Sequence, residues 1–332
     1  MAEAEKKTVQ KQKTPKSSRR NFMKTAAVAA GAAGAATLGF PNVARAKPVR
    51  LKMQGAWGSK SVFNTMAKQY VTRVNEMSGG SLKIDYLVSG AVVKAFRVQD
   101  AVHKGILDAG HQVSVYWYGK SKVASLFGTG PVFGQNAHHT LAWMYNGGGL
   151  ELYNELIANL GLNTVGFFCM PMPTQPLGWF KKKINSSKDM VGLKYRTVGL
   201  AADLMQRMGL KVTQLPGGEI VPALERGVIE AFEYNNPTAD KDFGAHDVSK
   251  IYMMGSYHQA AEFFEIIFNK TTFNKLSKEH RAILRYSAEA ASSANLWMAY
   301  DQYSKDLQWL KKVAKVNVYR TPQGIMNDQL KA

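Results

Sequence analysis

The chain has 332 residues and a formal net charge of +19, from 43 Lys/Arg against 24 Asp/Glu. Its one cysteine, Cys169, excludes an internal disulfide. No basic run exceeds Lys181-Lys182-Lys183, so the charge is read as complementarity to a small anion or as solubility, not as a nucleic-acid surface.

The N-terminus carries an export pattern. Ser18-Arg19-Arg20-Asn21-Phe22-Met23-Lys24 is a twin-arginine run with Met where Leu is more usual. A weakly apolar Ala/Gly-rich stretch, Thr25 to Phe40, follows, and Ala44-Arg45-Ala46 closes the segment as an A-x-A cleavage site. That stretch is too short for a membrane span, which takes roughly 20 strongly apolar residues, and no later segment offers one. A soluble periplasmic protein beginning near Lys47 is therefore expected. Residues 1–46 hold nine Lys/Arg and two Asp/Glu, so their removal leaves +12. The remaining length is enough for two ordinary domains.

Strand and helix patterns then alternate, which predicts an α/β architecture. Val49 to Met53 reads as a strand. Val62 to Met77 reads as an amphipathic helix with Phe63, Met66, Tyr70 and Val74 on one face, ended by Ser78-Gly79-Gly80. Leu82 to Val88 alternates as a strand does, and Phe96 to His103 is helical. Val165 to Met170 reads as a buried strand that holds Cys169 in the core. Ala101 to Ala109 is echoed by Ala223 to Ala231: each is a helix end capped by glycine, with a short buried strand after it. The echo suggests two similar lobes, with ligand groups just beyond each copy, at His111 to Tyr118 and at Phe232 to Asn236. Lys278 to Val313 contains no Gly or Pro, and Ser277 suits an N-cap. Ile283, Leu284, Ala288, Ala291, Trp297, Tyr300, Leu307 and Leu310 recur there at helical spacing, which predicts one long helix behind both lobes.

Enzyme signatures are missing: there is no G-x-S-x-G, P-loop, H-E-x-x-H or C-x-x-C. His138-His139 read as surface residues and Gly147-Gly148-Gly149 as a loop. Arg196 ends a short strand, where a guanidinium can take a carboxylate bidentately, although alone it reads as a surface arginine. Gln175 sits between Pro173 and Pro176 and is uninformative by itself. Glu233 lies between Phe232 and Tyr234, an apolar setting in which a carboxylate needs a partner or a cation.

The residues from Lys47 onward resemble the extracytoplasmic solute-binding subunits of TRAP (tripartite ATP-independent periplasmic) transporters, near the branch that binds 2-oxo acids and related monocarboxylates. The resemblance is carried by Asn75-Glu76-Met77-Ser78-Gly79-Gly80, Asp100 to Gly119, Ala142 to Gly149, Gln175-Pro176-Leu177-Gly178-Trp179-Phe180, Gly192 to Arg196 and Ala223 to Tyr234. It implies an α/β, two-lobed periplasmic binding protein of the Venus-flytrap kind, with a long helix spanning both lobes. Lobe I is expected at 47–160 plus about 236–275, lobe II at 161–235, and the long helix at 277–314. Residues 315–332 form a C-terminal segment, read as truncated beside relatives that carry a further helix for dimer exchange; a homodimer is left open.

The implied function is capture, without catalysis, of a small organic carboxylate for the membrane subunits of a TRAP transporter. Arg196 matches the family's carboxylate clamp. Gln175, Glu233 and the backbone carbonyl of Tyr234 match the ligands of a Na⁺ or Ca²⁺ ion bound with the substrate. No organic cofactor and no nucleic acid are expected. Asn235, Tyr116, Trp117, Tyr118 and Tyr257 are expected to complete the pocket wall. Asn235-Asn236-Pro237 departs from the branch, which implies a substrate other than simple pyruvate-like acids. A twin-arginine-exported redox enzyme and a binding protein that presents its ligand to a sensor are the alternatives.

Overall fold

In the computed structural model, residues 47–131 and 135–332 are described; the twin-arginine leader falls outside them. Twelve strands are seen among these residues: β1 (Val49–Gly55), β2 (Leu82–Leu87), β3 (Ala109–Gln112), β4 (Thr129–Gly130), β5 (Thr164–Met172), β6 (Gly178–Phe180), β7 (Lys194–Arg196), β8 (Lys211–Thr213), β9 (Ala231–Phe232), β10 (Ile251–Met254), β11 (Ala261–Asn269) and β12 (Asn317–Arg320). They form two sheets. The first has the order β2-β1-β3-β11-β4, with β5 also paired to β11; the second runs β12-β10-β6-β9-β7-β8.

The sheets share a plan. In the first, β1 lies parallel between β2 and β3; in the second, β7 lies parallel between β8 and β9. An antiparallel strand, β11 or β6, follows on the far side of β3 or β9. Parallel β-helix-β units of this kind need a crossover helix. Val62–Met77 serves in one sheet and Leu200–Arg207 in the other. The Ser61 hydroxyl accepts from the Phe63 N–H at the start of the first helix, and Phe63, Met66, Tyr70 and Val74 are buried on one face.

The sequence echo is reproduced bond for bond. The N–H groups of Ile106 and Leu107 donate to the Ala101 carbonyl, as those of Val228 and Ile229 do to Ala223. The Asp108 N–H donates to Lys52 O at 3.0 Å, and the Glu230 N–H to Lys194 O at 2.7 Å. Gly105 and Gly227 stand at φ +72° and +71°, left-handed conformations that end each helix.

The helix Lys278–Lys312 has 35 residues, about 52 Å at 1.5 Å per residue. Ser277 caps it by accepting from the His280 N–H at 3.1 Å. Leu284, Ala288 and Ala291 are packed in the core of the first sheet, and Leu310 in a core with Trp179, Phe232 and Tyr252 of the second. The helix therefore spans both halves. Trp297 and Tyr300, grouped with its apolar positions by spacing, are instead exposed; the buried face steps through Asn295, Ala299, Tyr303 and Asp306.

The lobe boundaries differ from the expected ones. Residues 161–235 do not all belong to the second half, because β5 pairs with β11 in the first sheet, Phe264 opposite Cys169. Nor do 236–275 all belong to the first, because β10 pairs with β6 and β12. The chain crosses between sheets after β5, after β10 and along the long helix. Antiparallel pairing over such sequence distances leaves no local trace. Among the described residues no helix is long and apolar enough to cross a membrane.

Candidate ligand-binding site

The site begins where β7 and β9 end side by side, with Arg196 opposite Phe232. This register puts Glu233 beside Arg196, and the Glu233 N–H donates to Arg196 O at 3.2 Å. Arg196 Nη1 donates to Glu233 Oε1 at 2.9 Å and to Glu233 O at 2.7 Å, and Nε donates to Leu215 O at 2.8 Å. Both side chains are 1% exposed or less. Burial pushes the Glu233 carboxyl up to about 7, against the opposing pull of Arg196. Glu233 Oε2 has no partner, although an orphaned buried oxygen is costly.

Gln175, in the loop from β5 to β6, is also buried. Its N–H donates to Gln259 O at 3.2 Å, and its Nε2 donates to Glu262 Oε2 at 2.9 Å. That leaves Oε1 of the same amide without a partner. Glu262, on β11, also accepts from Asn235 Nδ2, and burial pushes its carboxyl up to about 8. The sequence reading missed Glu262, although the argument applied to Glu233, a carboxylate inside an apolar strand, applies equally to Ala261-Glu262-Phe263.

Tyr234 lays its ring over the Arg196 guanidinium, 5.7 Å away. The turn that faces it closes on the ring at Gly217, where a Cβ would lie 2.3 Å from Tyr234 Cε2 and would push the ring aside. Tyr116 stands nearby: its hydroxyl is pushed up chiefly by burial, with Arg196, Glu262 and Glu233 all acting on it. Its ring packs on Phe96 at 4.6 Å. Tyr118 lies further out and donates to Asp203 Oδ1 at 2.7 Å across the two halves. Tyr116 and Tyr118 line a cavity of about 260 Å³ with Phe96, Val115, Val198 and Gln214.

Trp117 is not part of this group. One step along the tight turn Ser114–Trp117 its ring points into a separate core, 6.0 Å from Tyr153. Tyr257 is partly buried, and its N–H donates to Gln329 Oε1 at 2.8 Å. Its neighbour His258 is fully buried and held neutral by that burial, down to about 3. Asn236 caps the helix Pro237–Asp242 and donates to the Tyr303 hydroxyl of the long helix at 3.0 Å. His138 and His139 are exposed. Cys169 is buried, with its thiol pushed up by desolvation. A larger cavity, about 780 Å³, lies at the C-terminal helix away from Arg196. Its cations are engaged, Lys122 with Asp203 and Arg207 with Ala332 O.

Two sheet-centred halves, joined by crossing strands and one shared helix around a buried polar centre, define a ligand-binding protein that closes on its solute. A family model described as bacterial extracellular solute-binding protein, family 7, matches residues 53–327. The chain belongs to that family, the solute-binding components of TRAP transporters, which are not enzymes. It is 34% identical over 284 residues to the monocarboxylate 2-oxoacid-binding periplasmic protein of Nostoc sp., covering 84% of this chain and 76% of that one. A TRAP periplasmic solute-binding protein from Colwellia psychrerythraea with bound calcium and pyruvate is 31% identical, with a TM-score of 0.80 and 86% of each chain covered. One from Pseudoalteromonas atlantica with bound sodium and pyruvate is 29% identical at the same TM-score and coverage.

Proposed function

We propose that the protein captures a 2-oxo or 2-hydroxy monocarboxylate outside the cytoplasm and delivers it to the membrane subunits of a TRAP transporter. The carrying observation is the buried Arg196–Glu233 pair with two unpartnered oxygens, Glu233 Oε2 and Gln175 Oε1, beside it. The guanidinium is the group to clamp a substrate carboxylate. The two oxygens, with the Tyr234 carbonyl, fit a hard cation such as Na⁺ or Ca²⁺ and not zinc or copper. Such an ion, when bound, supplies the charge that Glu233 lacks once Arg196 turns to the substrate, and an electrophile for the substrate's 2-oxygen.

Arg196, Glu233 and Gln175 are fully buried, so entry requires the halves to part and capture requires them to close. Tyr234, Tyr116 and Asn235 wall the site, and the cavity behind Tyr116 leaves room for an apolar or aromatic substituent. The calcium- and sodium-pyruvate complexes of the Colwellia and Pseudoalteromonas proteins support this reading. Twin-arginine export with cleavage near Ala46 supplies the compartment.

The test is calorimetry on metal-stripped protein beginning at Lys47, with pyruvate, longer and aromatic 2-oxo acids, lactate and dicarboxylates, each with and without Ca²⁺ or Na⁺. Cation-dependent binding of a 2-oxo or 2-hydroxy acid is expected. A folded, ligand-free protein that binds none of them overturns the proposal.

A further inference from the structure

We infer that the end of the second sheet away from Arg196 is a docking face for an anionic phospholipid surface, built from lysines outside any ion pair and the exposed valines among them.

The strand register assembles this face. β7 and β8 start together, with Lys194 opposite Lys211. β6 ends where β10 starts, with Phe180 opposite Ile251, so Lys181 and Lys250 are neighbours. Lys182 and Lys183 continue from Lys181. Asn317, which opens β12, also lies opposite Ile251, and this brings in Lys315 and, from the last turn of the long helix, Lys311 and Lys312. All nine lysines are exposed, and among the described residues none is in an ion pair. Lys194 Nζ donates to Gly227 O and Lys250 Nζ to Ala314 O, contacts that hold the ammonium groups without cancelling their charge. The acids around them are fewer. Glu230 accepts from the Lys194 N–H, Asp189 accepts from the N–H groups of Asn185 and Ser186, Asp247 stands beside His246, and Glu225 is followed by Arg226.

The fold does not call for this charge. In the sister sheet Lys52 lies opposite Asp85, where the second sheet sets Lys194 against Lys211, and Asp85 is also paired with Arg50 at 3.2 Å. Phe268 faces Ala109 as Phe180 faces Ala231, so Asn269 stands where Lys181 does. Lys311 and Lys312 suit the negative end of their helix, but the strand-end lysines have no such role. Like charges set opposite each other in a sheet are destabilising, and an anionic surface laid over them offsets that repulsion.

Exposed valines between the lysines favour lipid. Val313, between Lys312 and Lys315, is 60% exposed; Val228, next to the Gly227 that Lys194 touches, is 47% exposed; Val191, beside the turn before Lys211, is 66% exposed. Such apolar tips enter the headgroup boundary while lysine stems lie along it. Each lysine near an anionic membrane strengthens binding ~5-fold, an effect that salt screens. Arg196 ends the strand that Lys194 begins, so a docked molecule keeps its ligand site clear of the lipid.

The experiment is vesicle co-sedimentation of protein beginning at Lys47, because the leader is itself basic. Phosphatidylcholine vesicles are compared with vesicles of equal parts phosphatidylcholine and phosphatidylglycerol, at low salt and at ~0.15 M. Binding is expected only with phosphatidylglycerol, and weaker at the higher salt. Combined Lys181→Gln, Lys182→Gln, Lys250→Gln and Lys315→Gln should weaken it ~30-fold or more. Lys68→Gln, Lys83→Gln, Lys94→Gln and Lys104→Gln together remove the same charge from exposed positions of the first half, and should change it less than ~3-fold. Lys→Arg at the four face positions should keep binding, and it decides the matter if the Gln set does not fold. Equal binding to both lipids, equal losses in the two Gln sets, or an Arg set that does not bind overturns the inference. So does binding to neither lipid, which would leave an acidic protein as the partner of this face. No solute is added, so each outcome is independent of the carboxylate reading above.

Discussion

Replacing Arg196 by Met removes the guanidinium from a centre built around it while keeping most of its volume. Three hydrogen bonds go, to Glu233 Oε1, Glu233 O and Leu215 O. Glu233 is left buried without its counter-charge. Removing one partner of a buried pair costs about 3–5 kcal/mol. Here Glu233 has a cheaper escape, because its carboxyl already sits near 7 in the wild type and needs little to take a proton. Without Arg196 that value rises further. The stability gap between wild type and variant should therefore be largest above pH 8. It should shrink by about 1–2 kcal/mol toward pH 5, where Glu233 is protonated in both. Denaturant melts at pH 5, 7 and 8.5 measure it. Adding Glu233→Gln to the Arg196→Met background should recover part of the loss at pH 8.5, with a coupling energy of about 1–3 kcal/mol in the double-mutant cycle. Carboxylate binding should fall by about 100-fold or more in Arg196→Met, from loss of a charged hydrogen bond worth about 1.5–3 kcal/mol and its charge. A gap that stays flat from pH 5 to 8.5, or unchanged affinity for every carboxylate, would refute the assignment.

Glu262, Glu233 and Glu265 have native values raised by burial to about 8, 7 and 7 from an ordinary 4.5. The native state thus holds more protons than the unfolded chain, and the stability that these groups give is lost as pH rises through 7 to 8. Melting of the ligand-free protein should shift downward between pH 6 and 8.5, and Ca²⁺ with pyruvate should restore more at the upper end; a rising melting temperature across that window contradicts this. Gly217→Ala puts a Cβ into the Tyr234 ring and should weaken binding ~10-fold or more at a stability cost of about 1–3 kcal/mol, whereas Gly218→Ala, which meets nothing within 4 Å, should be silent in calorimetry and melts. Gln329 is buried and holds Ser256 Oγ at 2.9 Å and the Tyr257 N–H at 2.8 Å, so Gln329→Ala should cost about 1–3 kcal/mol in urea unfolding.

Local signals were read well from the sequence. The helix Val62–Met77 was legible to the residue, because a cap, a 3.6-residue apolar stripe and paired glycines all agree at its ends. The long helix was legible for want of any breaker. Pairing between distant strands was not, which is why β5 and β10 fall in the sheets opposite to those expected. Glu262 was missed for a related reason. All nine residues of β11 are buried, so alternation tells nothing about its faces, and Glu262 and Glu265 are three apart. The register also shifts between Glu262 and Phe264. Only the pairing shows that Glu262 faces Gln175 and Asn235, while Glu265 faces Gln112 and the Tyr153 hydroxyl.

The repeated plan of the two sheets separates what the fold needs from what the ligand needs. Met53 pairs with Ala109 as Tyr195 pairs with Ala231, so Gln54 stands where Arg196 does and His111 where Glu233 does. In the first half both positions are neutral and satisfied. Gln54 Oε1 accepts from the N–H groups of Val92 and Val93, its Nε2 donates to Val93 O, and His111 Nδ1 accepts from Trp57 Nε1 at 2.7 Å. Burial holds His111 down at about 3, so it stays uncharged. A sheet of this design therefore closes its strand ends without any charge. The second half places a guanidinium and a carboxylate at the same two points and leaves one carboxylate oxygen bare, and β11 of the first sheet brings a second buried carboxylate, Glu262, alongside. Stability does not call for that arrangement, since buried ion pairs are often no better than neutral packing. Two charges kept where the sister sheet manages with none are charges kept for something that binds.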